Sequence, residues 1–290
     1  MTLKELYGQR ENLEEEKEFL ASYSLDNYFR PSVTSDVVAF AIGSYDKGNY
    51  RKESDTILQL LLIKRGAHPF KDYWALPGGF LREDESVEEC AWREIIEETG
   101  IKPISMKNIG VFSSCDRDPR GRIISNAFTS IILDESRDVT GGYDAEDADW
   151  FNVSFEIVED LYYLRLSNNS TELSAVLKLI RNEFGIHRFE IIESKGVAFD
   201  HAAIIGTALT SLQKDVEDYN VLFDFLPKKF TLLKLQKVQE TITGKKIQPA
   251  NFRRKIADYV TETEEFEKGA GHRPAKLFIK RNLAKVRIDL

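Results

Sequence analysis

The chain has 290 residues, more than one typical domain, and its 42% hydrophobic and 11% aromatic content excludes a disordered or collagen-like protein. Its longest apolar stretch, residues 57–63, is too short to cross a membrane, and the polar, acidic N-terminus lacks the features of a signal or transit peptide. Two cysteines, Cys90 and Cys115, are too few for a disulfide framework or a four-thiolate zinc site. These features predict a globular, cytoplasmic protein of two domains.

Charge is divided unevenly along the chain. From Lys228 onward there are 16 Lys and Arg residues against 7 Asp and Glu, a net charge of +9, whereas the preceding residues carry a net charge of −17. An acidic body suits a divalent-metal site, and a basic C-terminal segment suits a polyanion. The two parts are therefore expected to have different electrostatic roles.

Apolar periodicity and turn residues predict the first elements. Residues 3–24 favour an N-terminal helix that is either solvated or packed on a partner. Two apolar strands follow, one after Pro31 and one over 55–65, and the turn residues between them predict that the strands pair. A glycine turn and an acidic loop then precede a helix that ends at Gly100. Further strands are predicted over 109–112, 122–133 and 148–153.

The middle of the chain is less clearly patterned. Residues 157–193 contain two candidate strands about a polar turn, which predicts an inserted hairpin without an assigned role. An amphipathic helix is predicted to begin after Asp200, which supplies an acidic N-terminal cap. Pro227, where the charge changes sign, predicts a domain boundary.

Three glutamates of the predicted acidic helix share one face. Glu94, Glu97 and Glu98 stand at i, i+3 and i+4, so a helix brings their carboxylates together within one turn. Clustered hard oxygen donors favour Mg²⁺ or Mn²⁺, and Arg93 can orient or partly neutralise one of them. Taken alone, the cluster fits a solvated charged face at least as well.

The surrounding residues resemble a known signature. Gly79, Glu85, Arg93, Glu94, Ile95, Glu97, Glu98, Gly100 and Ile101 match the box of the Nudix hydrolases, G-x5-E-x7-R-E-U-x-E-E-x-G-U with U apolar. This resemblance implies an α+β fold over about residues 33–220, a mixed sheet between helices in an α/β/α sandwich. It also implies hydrolysis of nucleoside diphosphates linked to another group, by metal-assisted attack of water on phosphorus.

The resemblance also implies roles for individual residues. Glu94 and Glu98 would be metal ligands, Glu97 a further ligand or water holder, and the carbonyl of Gly79 a metal contact, while Glu85 would anchor the loop. The box does not identify the general base. A later acidic loop offers Asp144, Glu146 and Asp147, of which Glu146 is favoured, and a solvated loop is the alternative for each. The expected catalytic set is Arg93, Glu94, Glu97, Glu98 and Glu146.

Arginines outside the box are candidates for substrate binding. Arg65, Arg117, Arg120 and Arg122 carry guanidinium groups suited to phosphates, although arginines in a turn are often only solvated. Their segments, with "GVAFDHAAII" further on, resemble the Nudix subgroup associated with ADP-ribose and with regulators of NAD or sugar metabolism. The resemblance implies ADP-ribose or a related nucleotide sugar as the substrate.

The basic C-terminal segment has the pattern of two helices and a wing. Thr231 is expected to cap the first helix, Gly244 to end it, and Pro249 to open the second. The segment resembles the winged-helix domain of NrtR-type transcriptional regulators, which implies DNA contacts by a recognition helix and a wing. The candidate DNA-binding residues are Asn251, Arg253, Arg254, Lys255, Arg273 and Lys276. A packing or dimerisation domain is the alternative.

These patterns predict an N-terminal arm over residues 1–32, a Nudix domain over 33–226 and a winged-helix domain over 227–290. The expected function is Mg²⁺- or Mn²⁺-dependent cleavage of ADP-ribose or a related compound, coupled to DNA binding by a homodimer. The alternative is a regulator that uses its Nudix domain as a nucleotide or sugar sensor without significant catalysis.

Overall fold

The computed structural model describes residues 13–45, 55–133, 145–219, 221–267 and 274–281. The chain divides into an N-terminal unit over residues 1–31 and a larger unit over 32–290. Within the N-terminal unit, helix α1 (Leu13–Ser22) is followed by a short 3-10 turn capped by Ser24. The predicted N-terminal helix is thus present over its second half, and residues 3–12 lie outside the described part.

The larger unit is built on one ten-stranded mixed sheet. Its strand order is β10-β9-β8-β7-β2-β1-β6-β5, with β3 paired to β2 and β4 paired to β1. The strands are β1 (Ser32–Tyr45), β2 (Asp55–Arg65), β3 (Trp74–Ala75), β4 (Gly78–Phe80), β5 (Met106–Phe112), β6 (Ile123–Ile131), β7 (Ala145–Val158), β8 (Leu161–Ser167), β9 (Glu172–Arg181) and β10 (His187–Lys195). β1 and β2 pair antiparallel, as predicted, and β1 runs parallel to β6.

Two helices cover opposite faces of this sheet. Alternate residues of β1 point to opposite sides because side chains alternate along a strand. Val37 and Ala39 pack in a cluster with helix α2 (Val87–Thr99), whereas Val38 and Phe40 pack in a cluster with helix α3 (His201–Asp215). The predicted α/β/α sandwich is therefore confirmed.

The segment over 157–193 differs from the prediction. It contains β8, β9 and most of β10, three antiparallel strands instead of two. These strands extend the central sheet beyond β7, so the segment is part of the main sheet and not a separate hairpin. Its second turn, at residues 182–186, joins β9 to β10.

The C-terminal segment has the predicted winged-helix elements. Helix α4 (Leu232–Thr243) is capped by the Thr231 hydroxyl and ends at Gly244 in the left-handed region, and helix α5 (Pro249–Ile256) begins with proline. Strands β11 (Val260–Phe266) and β12 (Lys276–Lys280) form an antiparallel pair. Buried residues of α4 and α5 join the same apolar cluster as α3 and the sheet, so these elements share one continuous core.

Candidate functional site

A cleft of about 640 Å³ opens beside the glycine turn that precedes α2. This volume lies in the range of ordinary small-ligand sites. Its walls come from β1, the end of β2, β4, α2, the loop before β6 and the start of α3. The lining residues include Asp36, Arg65, Gly78, Gly79, Phe80, Arg82, Arg93, Glu94, Glu97, Glu98, Arg117, Asp118, Arg120, Phe199 and His201.

Local signals fix the position of α2 in this cleft. Ser86 and Glu89 form a reciprocal capping box that satisfies free amides of the first turn. Gly100 ends the helix with φ of 73°, a conformation that favours glycine. Cys90 and Ile95 are buried against the sheet, which leaves the glutamate face toward the cleft.

Arg93 ties together three of the carboxylates. Its guanidinium lies 2.5 Å from Glu85, 2.5 Å from Glu94 and 3.2 Å from Glu97, and its side chain is only 15% exposed. Hydrogen bonds from Arg93, with one from the amide of Arg82, lower the pKa of Glu85 to about 2. Arg93 thereby partly neutralises the glutamate face, and Glu85 joins the loop to the helix.

The glycine turn lies very close to the same face. The amide of Gly78 donates to Glu98 Oε2 at 2.9 Å. A Cβ at Gly79 would collide with the carboxylate of Glu94, and one at Gly78 would collide with the carbonyl of Ser35. Glycine is required at position 78 because the obstacle there is backbone, whereas a side chain at position 79 would have to displace the carboxylate of Glu94.

The chemistry of these donors fits a divalent cation. Carboxylate oxygens are the ligands that Mg²⁺ and Mn²⁺ prefer. Burial raises the pKa of Glu94, because water solvates its negative charge poorly, and a bound cation would stabilise that charge. Within the described ranges, no three Asp, Glu, His or Cys side chains converge closely enough to hold a metal. Instead, these carboxylates form salt bridges with arginines: Glu97 pairs with Arg82 and Arg93, and Glu94 pairs with Arg93.

The four predicted substrate-binding arginines separate into two groups. Arg65, Arg117 and Arg120 line the cleft. Arg122 is not among the lining residues, because its guanidinium donates to the backbone carbonyls of Ser113 and Ser114. Arg122 therefore braces its own loop, and the prediction that it binds substrate finds no support in its placement.

Arg117 belongs to a buried polar network. Its guanidinium donates twice to Asp200, at 2.7 and 2.9 Å, and lies 3.5 Å from Asp36, with only 4% of the side chain exposed. Burial opposes the charge of Arg117, but these carboxylates outweigh that effect and raise its pKa. Asp200 caps no amide of α3 with its side chain, contrary to the prediction, because its carboxylate is committed to Arg117.

His201 completes this network. Its Nδ1 accepts from the amide of Leu76 at 2.9 Å, and its Nε2 faces Asp36 at 3.8 Å. Burial lowers the pKa of His201, so the ring is neutral, with its proton on Nε2. Sequence reasoning missed Asp36 and His201. The available signal was a carboxylate placed inside the apolar run of β1, a position that requires a buried partner.

Phe199, also missed, supports the other two arginines. The Arg65 guanidinium lies 4.8 Å from the centre of the Phe199 ring, and that of Arg120 lies 5.5 Å from it. Burial and the nearby charge of Arg120 both lower the pKa of Arg65. Asp118 accepts from Arg120 at 2.7 Å, so this pair of guanidinium groups is only partly compensated, and an anionic ligand group would stabilise it further.

The structure places none of the three candidate general bases in the cleft, as far as their side chains are described. Asp144 and the side chain of Glu146 lie outside the described residues. Asp147 is exposed on β7 and is not among the residues that line the cleft. The identity of a base thus stays a prediction.

The candidate DNA-binding residues cluster on α5. Phe252 and Ile256 are buried, whereas Asn251, Arg253, Arg254 and Lys255 are exposed. None of these three cations has a salt bridge to another described residue. In the predicted wing, Lys276 pairs with Glu262 at 2.8 Å, and Arg273 lies outside the described residues. Within the described part of the segment, α5 therefore places three exposed cations close together.

Family models match two parts of the chain. Residues 50–169 match the NUDIX domain, and residues 222–279 match the NrtR DNA-binding winged helix domain. In the part of the chain that the structure describes, no helix is both long and apolar enough to cross a membrane.

Two curated relatives are similar to this chain, one over most of its length and one over about half. An ADPR responsive transcriptional repressor of Acinetobacter baylyi is 29% identical over 272 residues, covering 93% of this chain and 90% of the relative. An ADP-ribose pyrophosphatase of Methanocaldococcus jannaschii is 40% identical over 138 residues, covering 48% of this chain and 70% of the relative.

Solved structures are similar over most of the chain. A MutT/nudix family protein from Enterococcus faecalis has a TM-score of 0.71 and 29% identity, covering 96% of this chain and 97% of the other. NrtR from Shewanella oneidensis, complexed with a 27mer DNA, has a TM-score of 0.58 and 25% identity, covering 86% of this chain and 93% of the other.

Proposed function

Because the chain belongs to the Nudix family and carries an NrtR-type winged-helix domain, we propose that it is a DNA-binding regulator that responds to ADP-ribose. One observation carries this proposal. The sheet and helix that form the cleft share a continuous apolar core with the helices of the winged-helix segment. A ligand that alters the cleft therefore acts on a body to which the DNA-binding helices are directly packed.

The cleft has the chemistry that ADP-ribose requires. Arg65 and Arg120 supply guanidinium groups for a pyrophosphate, and Phe199 supplies an aromatic surface between them. Relatives named for responding to ADP-ribose and for cleaving it support this choice of ligand.

A second candidate activity is hydrolysis of that ligand, favoured by the intact box. Glu94, Glu97 and Glu98, with the carbonyl of Gly79, would hold Mg²⁺ or Mn²⁺. The ion, when bound, would supply charge neutralisation and activation of water at the pyrophosphate. Arg93 would orient these carboxylates. Arg65 and Arg120, whose guanidinium groups lie over the Phe199 ring, would bind and position the phosphates. Regulation and hydrolysis are compatible on one chain.

DNA would be contacted by α5 of a homodimer. We propose an arm over residues 1–32, a Nudix domain over 33–226 and a winged-helix domain over 227–290. Two copies are required because paired recognition helices read half-sites about one helical turn apart. Asn251 and the exposed cations of α5 would meet the duplex, with Arg273 and Lys276 contributing from the wing.

Removing the two arginines of α5 tests the DNA contact. The double variant Arg253→Ala/Arg254→Ala is expected to weaken binding to a duplex selected from a random library by the purified protein. Each lost phosphate contact should also reduce the slope of log affinity against log salt by about one unit. Fluorescence anisotropy at several salt concentrations measures both quantities.

A charge-matched control removes two exposed arginines from the sheet. Arg165→Ala/Arg188→Ala, on β8 and β10, changes the net charge equally and should leave the affinity and the salt slope close to those of the wild type. Equal losses in both double variants would mean that α5 makes no specific contact, and the winged-helix segment would then be only a packing domain.

A further inference from the structure

Helix α3 connects the cleft to the winged-helix segment. It has 15 residues, which gives a length of about 22 Å, and its first residue, His201, lines the cleft. The chain that follows its last residue, Asp215, lies against α4 and the end of α5. One rigid element thus has one end at the cleft and its other end beside α4 of the winged-helix segment.

A cation, Arg117, holds the residue that precedes α3 at its cleft end. Asp200, the residue that precedes the helix, receives two hydrogen bonds from Arg117, at 2.7 and 2.9 Å. Arg117 also lines the cleft beside Arg120. An anionic ligand bound there competes with Asp200 for the guanidinium, so ligand binding and the position of α3 share the same group.

The opposite end of α3, with the chain that directly follows it, contacts α4 and the turn after α5. Gln239 of α4 donates to the carbonyl of Val216 at 3.3 Å, and Gln213 of α3 donates to the carbonyl of Ile242 at 3.3 Å. Tyr219 lies 5.2 Å, ring to ring, from Tyr259, which follows α5. These contacts are local and close-packed, so a shift of α3 is passed to α4 and to the C-terminal end of α5.

Tyr219 is also conformationally strained. Its φ of +46° lies in the left-handed region, where a bulky residue costs free energy and persists only if its surroundings hold it. The ring contact with Tyr259 is one of the interactions that hold it. Strain at this junction is consistent with a point that changes between two arrangements.

A second element, β2, spans the same two regions but is fixed. Arg65 at its end lines the cleft, and Thr56 near its start lies 2.5 Å from Thr241 of α4, hydroxyl to hydroxyl. β2 is hydrogen-bonded to β1 on one side and to β7 on the other. Moving it would break both ladders, whereas α3 rests on the sheet through side chains, and packed helices shift by about 1–2 Å in known switches.

We propose that α3 couples ligand binding in the cleft to the position of the winged-helix segment. The ligand would act on α3 through the Arg117–Asp200 pair, and α3 would act on the winged-helix segment through the contacts of Gln239 and Tyr219. This inference rests on the proposed function, since it describes how ADP-ribose would alter DNA binding. Arg117 acts here as a positioning residue. The two sites are coupled through α3 and not through β2.

The test measures the ratio of DNA affinities with and without saturating ADP-ribose, using the full chain and the selected duplex. Tyr219→Asn keeps a residue that tolerates positive φ but removes the ring, and Gln239→Met keeps the length of the side chain but removes its donor. For the wild type we expect a ratio of about 5- to 150-fold. In each variant the ratio should fall toward one, while the affinity for ADP-ribose measured alone stays within about twofold.

Two further variants separate the routes. Thr241→Val removes the hydroxyl contact with β2 and should keep the wild-type ratio. Asp200→Asn weakens the hold of Arg117 on α3 and should move the DNA affinity of the free protein toward the value that the wild type has with ADP-ribose.

The outcomes are distinguishable. A wild-type ratio retained in both Tyr219→Asn and Gln239→Met, or lost in Thr241→Val alone, overturns the role of α3 while leaving the proposed function intact. A wild type whose DNA affinity ignores ADP-ribose overturns both. If one output variant fails to fold, by circular dichroism, the other decides.

Discussion

Replacing Arg117 with methionine is expected to lower the free energy of unfolding by about 3–5 kcal/mol, because it leaves two carboxylates without their cation in a water-poor site. Asp36 and Asp200 both lie within 3.5 Å of the guanidinium, and the side chain of Arg117 is only 4% exposed. Methionine keeps much of the apolar stem, so lost packing contributes little. Urea denaturation followed by circular dichroism measures the change.

Arg122→Met is the matched control, the same substitution in the same loop. In the described part of the chain the Arg122 guanidinium donates to two backbone carbonyls and pairs with no carboxylate, so its loss should cost about 1 kcal/mol or less. If both substitutions lowered the free energy of unfolding equally, the Arg117 network would contribute no more to stability than the hydrogen bonds of Arg122.

Glu98→Gln is expected to reduce hydrolysis of ADP-ribose by about 10²- to 10³-fold, if the second candidate activity is present in the wild type. The substitution removes an anionic metal ligand worth several kcal/mol of charge stabilisation. The fold should persist, since a glutamine carbonyl oxygen can still accept from the amide of Gly78, as Glu98 does at 2.9 Å. Phosphatase-coupled phosphate release with Mg²⁺ and with Mn²⁺ measures turnover.

Glu88→Gln provides the matched control on the same helix. Glu88 is exposed in the first turn of α2 and does not line the cleft, so turnover should be unchanged. Wild-type protein that cleaves no nucleoside diphosphate derivative with either metal would contradict the hydrolase candidate and leave only ligand sensing.

The parts of the fold that the sequence could predict are those with local signals. The Thr231 cap, the left-handed glycines at 100 and 244, and Pro249 at the start of α5 each act through neighbouring backbone, so their outcome follows from a few residues. The extension of the sheet by β8 to β10 depends on pairing between separate strands. Such pairing is not encoded within any one of them.

The same distinction applies to the candidate site. Helical spacing was sufficient to place Glu94, Glu97 and Glu98 on one face of α2. The partners of individual arginines could not be predicted from the sequence. Arg117 and Arg122 lie five residues apart in one loop, and only the fold places a carboxylate beside the first and backbone carbonyls beside the second. Asp200 illustrates the limit, since an acidic residue before a helix suits a cap locally, yet its carboxylate bonds to an arginine 83 positions earlier.

The most direct test of the central claim is the affinity of the full-length wild-type protein for its selected duplex with and without ADP-ribose, with the integrity of the ligand checked by chromatography. We predict a change of about 5- to 150-fold, and a change by the same factor in the affinity for ADP-ribose when DNA is bound, because coupling between two binding sites is reciprocal. An affinity for DNA that is the same at zero and at saturating ADP-ribose would contradict it.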